Sequence, residues 1–227
     1  MYCSKVEAKH LNCEEGSEKR AKYTRVESVR ARGIHMCEYS DGNRVRADWG
    51  HIRAHEHVVQ VYQDADRFMD SLEEFVAQGL RDDDGVVVIA TMAHLYMLEC
   101  RLRESSEFQF STLQARGRYV RLNVHEALWQ FMVDGLPDER LFGAFVDRVI
   151  GNAGKGGRQV RAFGEMVAIL WSQGNFEATR KLEQIWHRVC QERGLALFCA
   201  YPDSIFSTGQ AVERTELCGM HSRVVAS

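Results

Sequence analysis

The strongest constraint on the fold is an unbroken run of apolar, mostly β-branched residues, VVVIA, at positions 86–90. A strand without polar alternation is typical of the interior of a parallel sheet, where helices cover both faces. Similar runs occupy residues 58–62, 119–122, 160–163 and 195–201. Helical patterns separate these runs, so successive strands must be joined by crossover connections. The sequence therefore predicts an α/β fold, a mostly parallel sheet of about five strands flanked by helices.

Local signals place the helices between the strands. Asp64 and Thr91 stand directly before apolar residues at helical spacing, where an N-cap side chain accepts backbone hydrogen bonds. A further helix is expected through residues 127–132, and a second one after Pro137. The glycine-rich residues 151–157 are predicted to end that helix and turn the chain.

The composition suits one large folded domain with an appendage. Residues 1–54 are polar and aperiodic, so we expect a leader over 1–54 and the main domain over 55–227. The formal net charge of −3 lacks the basic excess of most nucleic-acid-binding proteins. The seven cysteines are scattered and no secretory leader precedes them, which indicates a reduced, cytoplasmic protein. No stretch is long and apolar enough to suggest a membrane span.

The segment after the 86–90 run is where a nucleotide-binding protein of this class would carry its phosphate loop. That loop needs glycines and a lysine, whose N–H groups bind the phosphates at the start of the next helix. Residues 90–95 read ATMAHL and contain neither. ATP hydrolysis is therefore not expected, and the glycines at 151–157 do not replace the loop because they follow a helix.

Ligands of open α/β sheets bind at the carboxyl ends of the strands, which nominates residues at or just beyond those ends. Among these residues, Glu165 carries the most specific signal. It either favours a helix start through the helix dipole, or holds Arg161 or a polar ligand group. Helix capping is the alternative for Asp64 and Thr91, and a place beside the core is the alternative for the tyrosines. The predicted ligand-binding residues are Tyr62, Asp64, Thr91, His94, Asn123, Glu126, Arg161, Gly164, Glu165 and Tyr201.

Signals for catalysis or metal binding are weak. No nucleophile elbow, paired-cysteine motif or zinc-protease helix occurs in the chain. Histidines and cysteines are dense early in the chain, but their spacings match no common zinc module. They are Cys3, His10, Cys13, His35, Cys37, His51, His55 and His57. We therefore predict no catalytic residue, no metal and no cofactor.

A family resemblance covers the chain from about residue 57 to 225. It rests on short segments in one order: HVVQVY (57–62), the helix 68–79 with the strand 86–91, GRYV (117–120), FMVDG (131–135), RAFGEMV (161–167), LW (170–171) with GN (174–175), LE (182–183), CAYP (199–202) and HSRVV (221–225). In these segments the sequence resembles the MEDS family, the methanogen/methylotroph sensory domain. The resemblance implies a RecA-like sheet that has lost its phosphate loop and serves in sensing or signalling. Family members are proposed to sense small hydrocarbon-like compounds and are often joined to histidine kinases or DNA-binding modules.

A second, weaker resemblance concerns residues 30–52. The stretch DGNRVRAD (41–48) resembles the wing of a MerR-like DNA-binding module, which would give Arg44 and Arg46 a role in contacting DNA phosphates. The helix-turn-helix expected before it is poor, so DNA is not the predicted main partner.

These observations favour a cytoplasmic sensory domain that binds a small, hydrocarbon-derived ligand. No output domain follows the resemblance, so we expect the signal to pass to a separate partner, such as a histidine kinase or a transcription regulator. One alternative is a ligand-responsive DNA-binding regulator. Another is an enzyme that uses Glu165 or His94 as acid or base. Association into a homo-oligomer is left open.

Overall fold

The structure is a computed structural model that describes residues 49–206 and 211–226. Its strands form one large sheet and one small hairpin. In chain order they are β1 (His57–Tyr62), β2 (Gly85–Ala90), β3 (Tyr119–Asn123), β4 (Met132–Val133), β5 (Leu136–Pro137), β6 (Val160–Gly164), β7 (Ala196–Pro202) and β8 (Arg223–Ala226).

Eight helices connect or follow these strands in the described ranges. They are α1 (Ala65–Arg81), α2 (Met92–Glu104), α3 (Phe110–Ala115), α4 (Val124–Leu128), α5 (Glu139–Ala153), α6 (Met166–Ser172), α7 (Phe176–Arg193) and α8 (Ala211–Gly219). Single 3-10 turns lie at Trp49–His51 and Asp203–Ile205. None of the helices described here is both long and apolar enough to cross a membrane.

The large sheet has the strand order β3-β2-β6-β7-β1-β8, and its strands pair in parallel. This confirms the α/β fold predicted from the alternation of strands and helices. The sixth strand, β8, was not predicted. It is a four-residue edge strand whose Arg223 and Val224 are exposed, so it lacks the continuous apolar run that identifies the buried strands.

Two apolar cores lie on opposite faces of the sheet. One face of the strands packs against α1, α2 and α3, with Phe75, Leu98 and Phe198 among its buried residues. The other face packs against α4, α5, α6 and α7, with Phe142 and Trp186 among its buried residues. The strand β2 is buried along its whole length, as expected for a central parallel strand covered on both faces.

Capping residues explain where several helices begin and end. Asp64 accepts hydrogen bonds from the N–H groups of Asp66 and Arg67 at the start of α1. The N–H of Gly154 bonds the Ile150 carbonyl at 2.8 Å, which confirms the glycine-rich end predicted for α5. Both interpretations needed only local hydrogen-bond chemistry.

The helix predicted through residues 127–132 is wrong in its length. The helix α4 ends at Leu128, and Met132 already belongs to β4. Asp134 and Gly135 have φ values of 49° and 80°, which makes the tight turn between β4 and β5. The apolar spacing of Phe131 and Met132 therefore reflects a hairpin packed on the core rather than another helical turn.

Candidate functional site

The carboxyl ends of β2 and β6 lie side by side where the chain changes direction across the sheet. From β2 the chain continues to β3 on one side, whereas from β6 it continues to β7 on the other. The following helices, α2 and α6, pack on opposite faces. A crevice at such a switch point is where open α/β sheets bind ligands. Thr91 follows β2 directly, and Glu165 follows β6 directly.

The Glu165 carboxylate is held at the amino end of α2. Its Oε2 accepts a hydrogen bond from the Thr91 N–H at 2.6 Å, and the Thr91 hydroxyl in turn accepts from the His94 N–H at 3.3 Å. The first N–H groups of a helix attract anions. Glu165 thus supplies, from within the chain, the negative group that a phosphate would supply in a nucleotide-binding relative of this architecture.

His94 contacts the second oxygen of the same carboxylate. Its Nδ1 lies against Glu165 Oε1, and because a carboxylate oxygen accepts, Nδ1 carries the hydrogen. The His94 side chain is 22% exposed and that of Glu165 is 8% exposed. The pair is therefore a partly exposed hydrogen-bonded unit at the carboxyl ends of β2 and β6, and Nε2 of His94 has no hydrogen-bond partner among the described residues.

Aromatic rings border this pair. Tyr62 stacks on Phe68 with ring centroids 4.6 Å apart, and Phe68 meets the His94 ring at 5.2 Å in an edge arrangement. Burial, reinforced by the negative charge of Glu165, raises the pKa of Tyr62 to about 12. The tyrosine hydroxyl is therefore a neutral donor at physiological pH. Thr91, His94, Glu165 and Tyr62 form what we call the carboxyl-end site.

Other residues predicted from the strand-end rule have local partners. Asn123 caps α4 by accepting from the His125 and Glu126 N–H groups. Glu126 is exposed at the same sheet edge, and Gly164 is the last residue of β6. Ligand binding by Asp64, Asn123, Glu126 and Gly164 stays a prediction.

The alternative in which Glu165 holds Arg161 is wrong. Arg161 donates to Asp84 Oδ2 at 2.7 Å and lies 3.3 Å from Asp82 Oδ2, at the opposite end of the sheet. Four residues along one strand separate it from Glu165 by about 13 Å. Gly79 makes room for it, since a Cβ there would overlap the arginine side chain. Burial raises the pKa of Asp84, and the Arg161 guanidinium counteracts that shift.

Tyr201 also lies away from the carboxyl-end site. Its hydroxyl donates to Glu183 Oε1 at 2.6 Å inside the core between the sheet and α7. Glu183 belongs to a group of four side chains, His57, Glu183, Cys199 and His221, which we call the buried cluster. Their polar atoms lie within 4.8 Å of one another.

The distances within the buried cluster are short. His57 Nε2 lies 3.3 Å from Cys199 Sγ and 3.5 Å from Glu183 Oε2. His221 Nε2 lies 3.4 Å from the same Glu183 oxygen. The side chains of His57, Glu183 and His221 are 0% exposed. The cluster is thus sealed from solvent although it contains a carboxylate.

Burial controls the protonation of this cluster. It lowers the pKa of His57 to about 3, with help from the neighbouring His221, and raises that of Cys199 well above its usual range. Burial alone would also raise the pKa of Glu183, but His221, His57 and the Tyr201 hydroxyl outweigh it and the net direction is down. The cluster therefore holds a neutral imidazole at His57, a thiol and a charged carboxylate.

Sequence reasoning missed this cluster. Of its members only His57 was noted, among the early histidines and cysteines, and the other three are separated from it by more than a hundred residues. Each of the four lies in a segment that carries the family resemblance, which is the one signal that could have drawn attention to them. Nothing in their spacing indicated that the fold brings them together.

Two surface clefts lie elsewhere. One of about 440 Å³ runs between the β3 edge and α5, and one of about 230 Å³ lies near Gly154 and Arg193. Neither is lined by a predicted ligand-binding residue. Arg44 and Arg46 lie outside the described residues, as do the cysteines and histidines before residue 49, so their predicted roles are not addressed by the geometry.

Comparison with known proteins bears on family and fold. The family model of the methanogen/methylotroph, DcmR sensory domain matches residues 56–221. A solved structure from Pyrococcus horikoshii OT3, described only as a structural study, is similar to this chain with a TM-score of 0.52 and 12% identity. The similarity covers 77% of this chain and 82% of the other, and it shows a shared fold. No curated protein matches the sequence.

Proposed function

The chain belongs to the MEDS family of sensory domains, and from that premise we propose that it binds a small neutral ligand at the carboxyl-end site. The ligand binds between the carboxyl ends of β2 and β6. The change in conformation that it causes is passed to a separate signalling partner. The observation that carries the proposal is the Glu165 carboxylate on the Thr91 N–H, at the switch point of the sheet.

The position of Glu165 argues against a phosphate ligand. A phosphate at the start of α2 would need the Thr91 N–H that Glu165 already occupies, and it would face the carboxylate charge. The phosphate and the Glu165 carboxylate would then be two negative charges close together, and such charges repel each other unless a cation lies between them. The crevice therefore favours a neutral molecule over a nucleotide.

The chemistry around Glu165 indicates what such a molecule would contain. His94 Nε2 and the Tyr62 hydroxyl supply polar contacts, while the stacked rings of Tyr62 and Phe68 supply an apolar wall. A short alcohol or substituted one-carbon compound combines a polar group with a small apolar body. This is the hydrocarbon-derived class expected from the family resemblance.

Transmission of the signal is assigned to α2. Its first turn carries His94, so a ligand that draws His94 from Glu165 also changes the first turn of that helix. A ligand shifts the equilibrium between two conformations only by its difference in affinity for them. We propose a histidine kinase or a transcription regulator as the recipient.

Thermal unfolding of the full chain with a panel of ligands tests this function. The panel contains short alcohols, halogenated and methylated one-carbon compounds, and ATP with magnesium. A ligand at a hundred times its Kd adds about 2.7 kcal/mol, which raises Tm by roughly 5–10 °C in a chain of this size. We expect a shift with at least one neutral compound and none with ATP.

A matched pair of variants locates the effect. Glu165→Gln removes the charge at the carboxyl-end site, whereas Glu192→Gln removes a charge from an exposed side chain near the end of α7. The ligand-induced shift should be lost in the first variant and kept in the second. A shift of equal size in both, or no shift with any neutral compound in the wild type, refutes ligand binding at this site.

A catalytic role is the second candidate, favoured by the His94–Glu165 contact. A carboxylate on Nδ1 orients an imidazole so that Nε2 can accept a proton. If a panel compound binds, its NMR spectrum during incubation separates the two functions. An unchanged spectrum over many hours supports sensing, and a new product that fails to form with Glu165→Gln supports catalysis.

A further inference from the structure

The buried cluster joins four separate elements of the fold. His57 begins β1, Glu183 lies in α7, Cys199 lies in β7, and His221 lies between α8 and β8. The elements converge on the core face opposite α1 and α2. None of these residues belongs to the carboxyl-end site, so the cluster calls for its own explanation.

Three of the separations between its polar atoms match those of a tetrahedral metal site, and all four ligand atoms lie within 4.8 Å of one another. Zinc binds nitrogen and carboxylate oxygen at about 2.0–2.2 Å and thiolate sulfur at about 2.3 Å, so neighbouring ligand atoms of a tetrahedron lie roughly 3.3–3.7 Å apart. The measured separations are 3.3 Å between His57 Nε2 and Cys199 Sγ, and 3.5 and 3.4 Å from Glu183 Oε2 to the two histidine nitrogens.

The hydrogen bonds around His221 and Glu183 leave one atom of each side chain facing the other, where a cation would contact both. His221 Nδ1 lies 2.8 Å from the Leu217 carbonyl, so Nδ1 carries a hydrogen and donates. His221 Nε2 lies 3.4 Å from Glu183 Oε2. Among the described residues neither of these two atoms has a hydrogen-bond partner. A buried carboxylate oxygen facing an imidazole nitrogen is stabilised by a positive centre, either a proton on the imidazole or a metal ion bound to both atoms.

Hydrogen bonds to surrounding residues orient two side chains of the buried cluster, Glu183 and His221. The Tyr201 hydroxyl donates to Glu183 Oε1 at 2.6 Å, which leaves Oε2 facing the cluster. The Leu217 carbonyl fixes the orientation of the His221 ring in the same way. Metal-bound histidines and carboxylates usually have such second hydrogen bonds, which set the tautomer and direction of the ligand.

We propose that His57, Glu183, Cys199 and His221 bind one divalent transition-metal ion of the zinc type. Two imidazoles, a carboxylate and a thiolate are ligands that zinc accepts and that magnesium and calcium, which bind oxygen, do not. Cys199 binds as the thiolate and releases its proton to solvent when the ion enters. Thiolate and carboxylate together balance the two positive charges of the ion.

Four protein ligands complete a tetrahedron, which is the pattern of structural rather than catalytic zinc. The ion would connect β1 and β7 to the segment that leads into the edge strand β8. That strand is held to the sheet through β1, and the Ser222 N–H donates to the His57 carbonyl at 2.7 Å. The site thus goes beyond ligand sensing and fixes the last part of the described chain to the sheet.

Cobalt substitution tests the site directly. The full chain is purified without chelator, its metal content is measured, and the stripped, reduced protein is titrated with Co²⁺. We expect roughly one equivalent to bind, with intense visible bands of a tetrahedral ion and a near-ultraviolet band from thiolate to cobalt. Added Zn²⁺ should displace the cobalt. Absence of the thiolate band from the wild type overturns the proposal.

A matched pair of cysteine variants tests whether Cys199 gives rise to the thiolate-to-cobalt band. Cys199→Ala and Cys190→Ala each remove a buried free thiol, but only Cys199 lies in the cluster. The thiolate band should disappear from the first and stay in the second. Cysteines before residue 49 are present in both, so a band that depends on Cys199 does not arise from them. A band of full intensity in Cys199→Ala overturns the proposal.

A second variant covers the case in which Cys199→Ala fails to fold. Glu183→Gln keeps every cysteine and nearly the same shape, and its amide can donate to His221 Nε2 while its carbonyl accepts from Tyr201. Far-ultraviolet circular dichroism should show a folded protein, and cobalt affinity should fall by more than about 100-fold. Unchanged affinity in the folded variant contradicts the assignment.

Discussion

The carboxyl-end site and the buried cluster are both built on a glutamate and histidine, but their hydrogen bonds differ. At the carboxyl-end site each Glu165 oxygen has a contact, with the Thr91 N–H and with His94 Nδ1. In the buried cluster one oxygen of Glu183 accepts from Tyr201, while the other has no hydrogen-bond donor among the described residues. The Glu165 carboxylate therefore has a contact at both oxygens, whereas the Glu183 carboxylate has a hydrogen-bond donor at only one of its oxygens among the described residues.

The two regions also differ in their exposure to solvent. The His94 side chain is partly exposed, so a ligand can reach its Nε2 nitrogen. The Glu183 carboxylate of the buried cluster is sealed from solvent, and a buried carboxylate oxygen without a hydrogen bond is unfavourable. We infer that a satisfied pair at an open edge suits a reversible ligand, whereas an unsatisfied set in the core suits a tightly held ion.

The largest expected effect comes from Glu183→Gln, and its size should depend on metal. Without metal the variant loses the contacts of the carboxylate with His221 and His57 and gains an amide donor, so its stability should differ from that of the wild type by no more than about 1–3 kcal/mol. With zinc in excess the wild type should be the more stable protein. Urea unfolding with and without chelator measures both. Glu192→Gln, exposed near the end of α7, should leave both values unchanged.

Removal of the tyrosine hydroxyl from each region separates their roles. Tyr201→Phe should lower zinc affinity by about 10–100-fold because Glu183 loses its orienting bond. Tyr62→Phe, at the carboxyl-end site, should leave zinc affinity unchanged and weaken the ligand-induced shift in Tm. Competition with a zinc-binding dye measures the affinities. Equal loss of zinc affinity in both variants would show that the two regions are not independent.

Glu165→Gln should have a smaller effect on stability. It replaces a charge-assisted hydrogen bond from the Thr91 N–H by a neutral one, which should cost about 1–2 kcal/mol in urea unfolding. Zinc affinity should stay at the wild-type value, because Glu165 belongs to the other region. A stabilising effect of Glu165→Gln would contradict the view that both oxygens of this carboxylate are satisfied.

The smallest expected effect concerns the cap of α2. Thr91→Ala removes the hydroxyl that accepts from the His94 N–H and should cost about 0.5–1 kcal/mol. Thr91→Ser keeps the acceptor and should recover most of that loss. If both variants unfold at the same urea concentration, the hydroxyl contributes nothing to the helix start.

The sequence predicted those features that depend on neighbouring residues. Continuous apolar runs identified β2 and β7, shorter β-like runs identified β1, β3 and β6, and Asp64 was identified as a helix cap. The carboxyl-end rule selected Thr91, His94 and Glu165 before any contact among them was known, and the fold brings these three together. Their role in binding a ligand stays a prediction.

What the sequence did not predict depends on distant parts of the chain. A contact between Arg161 and Glu165 was one of the alternatives, but Arg161 lies near the start of β6 and Glu165 directly follows its end. The strand β8 lacks an apolar run because it lies at the sheet edge. The buried cluster combines positions 57, 183, 199 and 221, and only the strand order β7-β1-β8, with α7 packed on its face, makes them neighbours.

Anomalous X-ray scattering from zinc-loaded crystals of the full chain tests the contrast between the two regions most directly. Within residues 49–206 and 211–226, we predict one zinc peak, within bonding distance of His57 Nε2, Glu183 Oε2, Cys199 Sγ and His221 Nε2. No peak should lie at Glu165 and His94. An empty buried cluster, or a peak at the carboxyl-end site instead, would contradict the account.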